Sequence, residues 1–292
     1  MSSPPENNRA SLLTLPSELR NAIYMYIFDP QPHETHLRTL PTSPDELAIA
    51  LRLKGTADYR AAYYNANRAA SKLILLLTCK QIHHEAALLA LAHTPFHIDG
   101  ECAYPEVFAH RARSLSAAQL GAIRHLTVSA RISHLRALNE TWNGVPFGHE
   151  ALHLDTLTIL PSRPECHSTA LAEIADLSQS HTLAYIFCET LKGLRSVGCV
   201  QVRNHGCFNE VVWRLFYRSL VYRLWRWGGA KNGIRFESGE TRPGGSECKE
   251  NQWFKAFLTE KEGEGVECGE EVCRLVGQTG ELPDPNLAGV GL

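Results

Sequence analysis

The sequence has no long hydrophobic run and almost no net charge. Its longest apolar runs, Leu73–Leu77 and Leu183–Cys188, fall far short of the ~20 residues that a membrane span needs. The polar segment Met1–Arg9 lacks the apolar stretch of a signal peptide. A net charge of -2 and a pI of about 6.7 exclude a global attraction to nucleic acid or to an anionic membrane. We therefore expect a soluble protein of the cytoplasm or nucleus, with no membrane or nucleic-acid partner.

Catalytic motifs and paired metal-ligand spacings are also missing. The sequence contains no Gly-rich phosphate loop, no Gly-x-Ser-x-Gly elbow and no His-Glu-x-x-His. Its nine cysteines, an odd number without a regular framework, are typical of reduced thiols. Four sets of residues offer metal ligands without the short Cys-x-x-Cys spacing of zinc sites: Cys199, His205 and Cys207; Cys248, Cys268 and Cys273; His149 and His153; and His83, His84 and Glu85. We predict no metal, no cofactor and no enzymatic activity.

Two helix patterns dominate the first hundred residues. Pro16 is suited to a first helical turn, and Leu19, Ile23 and Ile27 then recur at i, i+4 and i+8, with Tyr24 and Phe28 widening that face. A second helix is predicted from Ser71 to Ala92. Residues 1–10 are predicted to be a disordered leader, and the Pro-interrupted stretch 30–70 to be an insertion between the two helices.

Beyond residue 100, short strand patterns alternate with helix patterns. Strands are predicted at Phe96–Ile98, Ile123–Val128, Leu154–Leu160 and Leu194–Val202, and helices at Ser116–Gly121, Thr169–Leu177, Leu183–Lys192 and Asn209–Trp227. Strands separated by helices indicate parallel pairing with crossovers. An aliphatic residue recurs three positions after the first in each long strand, which indicates a loosely solenoid-like repeat.

The last helix carries a basic and aromatic stretch, Arg214–Arg226. Its aromatic residues lie on the apolar stripe, which favours core packing over nucleic-acid binding; the stripe is Trp213, Phe216, Leu220, Leu224 and Trp227. After residue 238 the sequence is rich in Gly and Glu, so 238–292 is predicted to be a largely disordered tail. Trp253, Phe254 and Phe257 are candidates for docking on the body of the protein.

Two segments carry a family resemblance. Leu15–Tyr24 contains Leu-Pro-Ser-Glu-Leu-Arg, and Leu75–Ala86 contains Thr-Cys-Lys-Gln-Ile-His-His-Glu-Ala, followed by Thr94–Ile98. Together they resemble the F-box-like region of a large group of fungal proteins of largely unassigned function. In that group a Leu-Pro-x-Glu-Leu-Arg helix precedes a Thr-Cys-x-Gln-Ile-x-x-Glu-Ala helix and a short strand. Here the two helices are separated by the 30–70 insertion, and the tryptophan of the standard second helix is absent.

The resemblance implies an α/β or α+β architecture, with an F-box-like helical module over residues 11–100. This module is expected to pack on a small, mainly parallel, solenoid-like sheet with helices, over 101–237. It also implies a protein-interaction role, because F-box domains bind a Skp-type adaptor and recruit protein substrates to a cullin-type ubiquitin ligase. Leu15, Pro16, Leu19 and Ile23 match the positions that contact the adaptor.

Two alternatives remain open at this point. The protein could be a stand-alone scaffold or binding domain that engages no Skp-type adaptor, in which case Leu15, Leu19 and Ile23 are buried in its own core. It could also be an enzyme of unrecognised type, which requires a pocket where several polar groups converge.

Overall fold

The structure, a computed structural model, contains two compact units, Met1–Pro95 and Phe96–Leu292. It describes residues 12–28, 73–141, 145–161, 169–204, 207–228, 233–241, 251–259 and 264–279. The predicted leader 1–10 and the predicted insertion 30–70 lie outside the described residues. The boundary between the units falls at residue 95, close to the predicted boundary at residue 100.

In its described residues, 12–28 and 73–95, the first unit contains two helices and two 3₁₀ turns. These elements are the turn Leu12–Thr14, α1 (Ser17–Phe28), the turn Ile74–Leu77 and α2 (Lys80–His93). Helix α1 packs against α2. The centre of the contact is fully buried and consists of Tyr24 and Phe28 from α1 with Ala86 and Ala90 from α2.

The predicted second helix, Ser71–Ala92, is interrupted in the structure. The chain leaves the 3₁₀ turn at Thr78, whose hydroxyl donates a hydrogen bond of 2.7 Å to the Leu75 carbonyl oxygen. Cys79 is extended, and its sulfur accepts a hydrogen bond from the Ile82 amide, so it is the N-cap of α2. The sequence prediction joined the two segments because apolar residues are dense on both sides of the break.

In the described part of the chain, the sheet contains seven strands in the order β1-β2-β3-β4-β6-β5-β7. Strand pairs β2–β3 and β3–β4 are parallel, whereas β4–β6, β6–β5 and β5–β7 are antiparallel. The strands are β1 (Pro95–Asp99), β2 (His125–Ala130), β3 (Leu154–Pro161), β4 (Val197–Asn204), β5 (Arg235–Thr241), β6 (Asn251–Phe257) and β7 (Val266–Glu267). The predicted mixed α/β fold, with parallel pairing of the three long predicted strands, is confirmed.

Six helices of the second unit accompany this sheet in the described part of the chain. They are α3 (Pro105–Ala112), α4 (Ala117–Ala122), α5 (Ile132–Thr141), α6 (Thr169–Gly193), α7 (Glu210–Gly228) and α8 (Cys268–Thr279). Helix α5 packs on α6, α6 on α7, and α7 on α8, so these helices form a row. None of the helices in the described ranges is long and apolar enough to span a bilayer.

The core of the second unit lies between the strands and this row of helices. Leu126 and Val128 of β2, Leu157 of β3 and Val202 of β4 are buried in it. The predicted stripe of α7 is confirmed as far as the structure describes it, since Trp213, Phe216, Leu220 and Leu224 are all buried there. The side chain of Trp227 lies outside the described part.

Two predicted helices, Thr169–Leu177 and Leu183–Lys192, are one continuous helix, α6. The polar residues between them suggested a break, because Ser and Thr compete with the backbone for hydrogen bonds. In the structure, Thr182 instead donates a hydrogen bond of 3.1 Å to the Ser178 carbonyl within the helix, and Ser180 is buried.

The segment predicted as a largely disordered tail contributes to the fold. Residues 251–257 form β6, which pairs with both β4 and β5, and Cys268–Thr279 form α8. Phe254 and Ala256 belong to the core, which explains why this segment is ordered. Within the predicted tail 238–292, the structure describes residues 238–241, 251–259 and 264–279 as part of the fold, while residues 242–250, 260–263 and 280–292 lie outside the described part.

A buried polar cluster attaches α8 to the rest of the unit. The carboxylate of Glu271, which is 2% exposed, accepts hydrogen bonds from the Tyr217 hydroxyl at 2.7 Å and from Arg274 Nε at 2.6 Å. Arg274 also donates to the Ser238 hydroxyl at 3.0 Å. Burial raises the pKa of Tyr217 well above its usual range, so the hydroxyl remains a donor.

Candidate protein-interaction site

The two sides of α1 differ sharply in their exposure. Tyr24 and Phe28 are fully buried against α2, whereas Leu19 is 53% exposed and Tyr26 is 72% exposed. We call Leu19, Ile23, Tyr26 and Ile27 the α1 stripe; these residues follow at i, i+4, i+7 and i+8 and so share one helix face. Most of this apolar stripe therefore faces away from the core of its own unit.

The four sequence-predicted contact residues lie together at the start of α1. Leu15 ends the first 3₁₀ turn, its amide donating to the Leu12 carbonyl, and Pro16 precedes the helix, its carbonyl accepting from the Arg20 amide at 3.1 Å. Pro16 and Leu19 are exposed, while Leu15 and Ile23 are half-buried. Of Leu15, Leu19 and Ile23, which the scaffold alternative places in the core, only Leu19 is clearly exposed.

An ion pair between the two helices fixes the position of α1. Arg20 donates from Nε to Glu85 Oε2 at 2.9 Å and from Nη2 to Glu85 Oε1 at 2.7 Å. Arg20 Nη1 also donates to the Leu15 carbonyl oxygen. One guanidinium thus ties the N-terminal turn, α1 and α2 together, in the two-bond geometry for which arginine is suited.

Two further residues complete the environment of Glu85. Gln81 Nε2 donates to Glu85 Oε1 at 3.0 Å, and the Tyr24 hydroxyl donates to Oε2 at 3.3 Å. The hydrogen bonds from Arg20 and Gln81 lower the pKa of Glu85 to about 2, so its carboxylate stays ionised at neutral pH. Burial raises the pKa of Tyr24, which keeps its hydroxyl protonated as a donor.

The first unit exposes a second group of apolar side chains. Ile74 and Leu77, on the 3₁₀ turn before α2, are 64% and 82% exposed, and Leu88 of α2 is 50% exposed. Sequence reasoning placed these residues inside a helix and did not assign them to a surface. Single exposed apolar side chains are common on protein surfaces, so these three residues alone do not define a binding site.

In the described part of the chain, no group of three or more His, Cys, Asp or Glu side chains is arranged to hold a metal ion. Cys199, Cys207 and Cys268 are each buried, and His205 and Cys248 lie outside the described part. Burial in the core suits cysteine, which packs as a small hydrophobic residue.

The histidine candidates make local contacts. His149 and His153 flank a loop, as predicted, and both contact Ala151: the Ala151 amide donates to His149 Nδ1, and His153 Nδ1 lies 3.4 Å from the Ala151 carbonyl. On α2, His83 and His84 are exposed, whereas Glu85 turns to Arg20.

Comparison with known proteins gives one match. Residues 6–150 match the model of a domain of unknown function, DUF7730. The matched range includes α1, α2 and the strands β1 and β2, and it ends shortly before β3. No curated protein and no solved structure matches the chain. Over just under half of its length, this chain is thus similar to DUF7730, and no function is attached to that domain.

Proposed function

We propose that this protein is an intracellular protein-interaction module that binds a Skp-type adaptor through α1 and serves as a substrate receptor of a cullin-type ubiquitin ligase. The observation that carries the proposal is the exposure of Leu19 and its neighbours on the α1 stripe. A scaffold without an adaptor would place these residues in its own core. The proposal assigns the protein no enzymatic activity.

The α1 stripe has the form of a helix that fits into an apolar groove. Anchors at i, i+4, i+7 and i+8 are the usual pattern of helix-in-groove recognition. Complete burial of a leucine side chain contributes about 1.5–3 kcal/mol, so covering the exposed half of Leu19 contributes about 1 kcal/mol. Several such residues together can hold a partner, because a few apolar anchors supply most of the binding energy at protein interfaces.

Arg20 and Glu85 support this role by holding α1 in a fixed position. Their two hydrogen bonds join the helix that carries the stripe to α2, and the bond to the Leu15 carbonyl orients the turn containing Pro16. A preorganised helix loses less conformational entropy on binding than a mobile one.

A pull-down of the full chain with a purified Skp-type adaptor tests the proposal. Leu19→Asp should lower the bound fraction by more than about tenfold, since a carboxylate would be buried in an apolar groove. Met25→Asp is the matched control, because Met25 is 50% exposed on the same helix and lies roughly 120° around the axis from Leu19. It should bind like the wild type.

Circular dichroism should show that both variants retain the wild-type helix content. Absence of binding by the folded wild-type protein contradicts the proposal and favours the stand-alone scaffold. Equal losses in Leu19→Asp and Met25→Asp would show that the adaptor does not contact the α1 stripe.

A further inference from the structure

A straight row of polar side chains crosses five strands of the sheet. The pairs Thr127–Thr158, Thr158–Gln201, Gln201–Lys255 and Lys255–Glu237 are direct neighbours in adjacent strands. Residues directly opposite one another in neighbouring strands project from the same side of a sheet. These five residues therefore define one surface, which we call the polar face.

The polar face is the side of the sheet that lies away from the helix-covered core. Val200 and Val202 of β4 belong to that core, while Gln201 and Arg203 alternate with them and point to the other side. Thr127, Thr158 and Lys255 are half-exposed, and Arg203 and Glu237 are exposed. The polar face is thus at least partly exposed at Thr127, Thr158, Lys255, Arg203 and Glu237, whereas Gln201 at its centre is buried.

Arg203 extends this face with a cation that has no carboxylate partner among the residues the structure describes. Its Nη2 donates a hydrogen bond of 3.1 Å to Oε1 of Gln201, a neutral acceptor whose residue is only 8% exposed. Gln201 therefore holds the guanidinium in place without neutralising its charge. A guanidinium has five N–H donors, so most of them remain available to a ligand.

The neighbours of Arg203 on β6 add an aromatic ring and a second cation. Trp253 is its direct cross-strand partner, and the indole lies over Gly239, where an added Cβ would be 2.8 Å from the ring. Lys255 Nζ lies 5.1 Å from the centre of that ring and 3.0 Å from Glu237 Oε2. Because Glu237 compensates Lys255, the charge of Arg203 is the surplus on this part of the polar face.

We propose that the polar face binds an acidic peptide segment of a partner protein, with a carboxylate on Arg203 and the adjoining peptide lying over Trp253 and Gln201. Arginine binds carboxylates through paired hydrogen bonds, and a half-exposed tryptophan offers a flat apolar surface beside them. The inference rests on the proposed function in one respect: the acidic peptide would be part of the protein substrate that is recruited.

The charge distribution favours a peptide over a nucleic acid. Proteins that bind nucleic acid neutralise several phosphates, whereas among the described residues Arg203 is the cation of the polar face without a carboxylate partner. One surplus cation beside hydroxyl, amide and aromatic groups suits a single acidic side chain within an otherwise neutral segment. Complementary charge at such a site contributes chiefly to specificity and to the rate of association.

Fluorescence anisotropy with labelled short peptides, in the absence of any adaptor, tests the inference on the full chain. Peptides of one otherwise neutral sequence, carrying Glu, Gln or Lys at the same single position, are compared with a single-stranded oligonucleotide. The Glu peptide should bind at least about tenfold more tightly than the others, and its affinity should fall between about 50 mM and about 200 mM salt.

Two arginine variants assign the contact. Arg203→Gln should weaken binding of the Glu peptide by about tenfold, as expected for losing one charged hydrogen-bonding partner. Arg214→Gln removes the same charge from a 64% exposed residue of α7 and should change the affinity by less than about twofold. Circular dichroism confirms that both variants are folded.

The outcomes separate this inference from the adaptor proposal. Leu19→Asp should still bind the Glu peptide, and Arg203→Gln should still bind the adaptor. The inference is overturned if the wild type does not bind the Glu peptide, if the Gln peptide or the oligonucleotide binds as tightly, or if Arg203→Gln and Arg214→Gln have the same affinity. Each of these results leaves the adaptor pull-down unaffected.

Discussion

Arg20 and Glu85 are separated by 65 positions in the sequence and joined by two hydrogen bonds in the structure. Each belongs to one of the two segments that carry the family resemblance, Leu15–Tyr24 and Leu75–Ala86. This ion pair therefore joins the two segments by linking α1 to α2. Its contribution to stability depends on the ionisation of Glu85.

The lowered pKa of Glu85 predicts a defined dependence of stability on pH. Its pKa falls from an ordinary value of 4.5 to about 2 in the folded protein, so ionised Glu85 stabilises the fold above pH 4.5. This contribution is lost as the pH falls through about 2. In urea denaturation, the difference in unfolding free energy between the wild type and Glu85→Gln should be constant above about pH 5 and shrink below it.

Glu18→Gln provides the control for this measurement, because Glu18 is exposed at the start of the same helix. The difference in unfolding free energy between the wild type and Glu18→Gln is measured over the same pH range for comparison. A difference between the wild type and Glu85→Gln that stays constant down to about pH 2 would contradict the role assigned to the ion pair.

The two sides of α1 should respond differently to truncation. Phe28→Ala removes a fully buried ring and should lower the free energy of unfolding of the first unit by about 3–5 kcal/mol. Leu19→Ala removes a side chain that is 53% exposed and should cost less than about 1 kcal/mol. Hydrogen exchange of the α1 and α2 amides measures both effects. A large loss of protection in Leu19→Ala would show that Leu19 is part of the core.

The hydroxyl of Tyr217 should stabilise the attachment of α8. Tyr217→Phe removes its 2.7 Å hydrogen bond to the buried carboxylate of Glu271 and should lower the free energy of unfolding by about 1.5–3 kcal/mol. Tyr222→Phe, on the same helix, removes a half-exposed hydroxyl and should have an effect below about 0.5 kcal/mol. Thermal denaturation gives the melting temperatures of the two variants. Equal melting temperatures would contradict the assigned role of Tyr217.

The strands and helices with strong periodicity were predictable from the sequence. β2, β3 and β4 were placed within three residues of their observed ends, because their alternating or continuous apolar residues follow from burial against one layer of helices. Parallel pairing followed from the helices between them. Helices α3 and α5 were missed, since each is short and carries few of the apolar residues that periodicity detects.

In the C-terminal part of the sequence, amino-acid composition and hydrophobic periodicity indicate opposite structures. Glycine and glutamate suggested disorder, yet Cys268, Val272, Leu275 and Val276 follow at i, i+4, i+7 and i+8, the signature of the amphipathic helix α8. In β6, Phe254 and Ala256 alternate with Trp253 and Lys255 in the same way. Both signals were present in the sequence.

The candidate site was only partly predictable. The resemblance identified Leu15, Pro16, Leu19 and Ile23, but periodicity could not say which side of α1 is buried, because apolar residues occur on both. Tyr24 and Phe28 form the buried side since they meet the small residues Ala86 and Ala90 of α2. Tertiary packing decides which residues 65 positions apart contact each other, as Arg20 and Glu85 do. Local sequence patterns do not contain that information.

The order of strands in the sheet has a consequence for how the protein is made. β6 lies between β4 and β5, although both of these strands leave the ribosome before it. During synthesis, the hydrogen-bonding edge of β4 therefore remains unpaired until residues 251–257 emerge. Open edges of this kind readily join strands of other chains, so a truncated or stalled product ending before residue 251 is the form of this protein most exposed to aggregation.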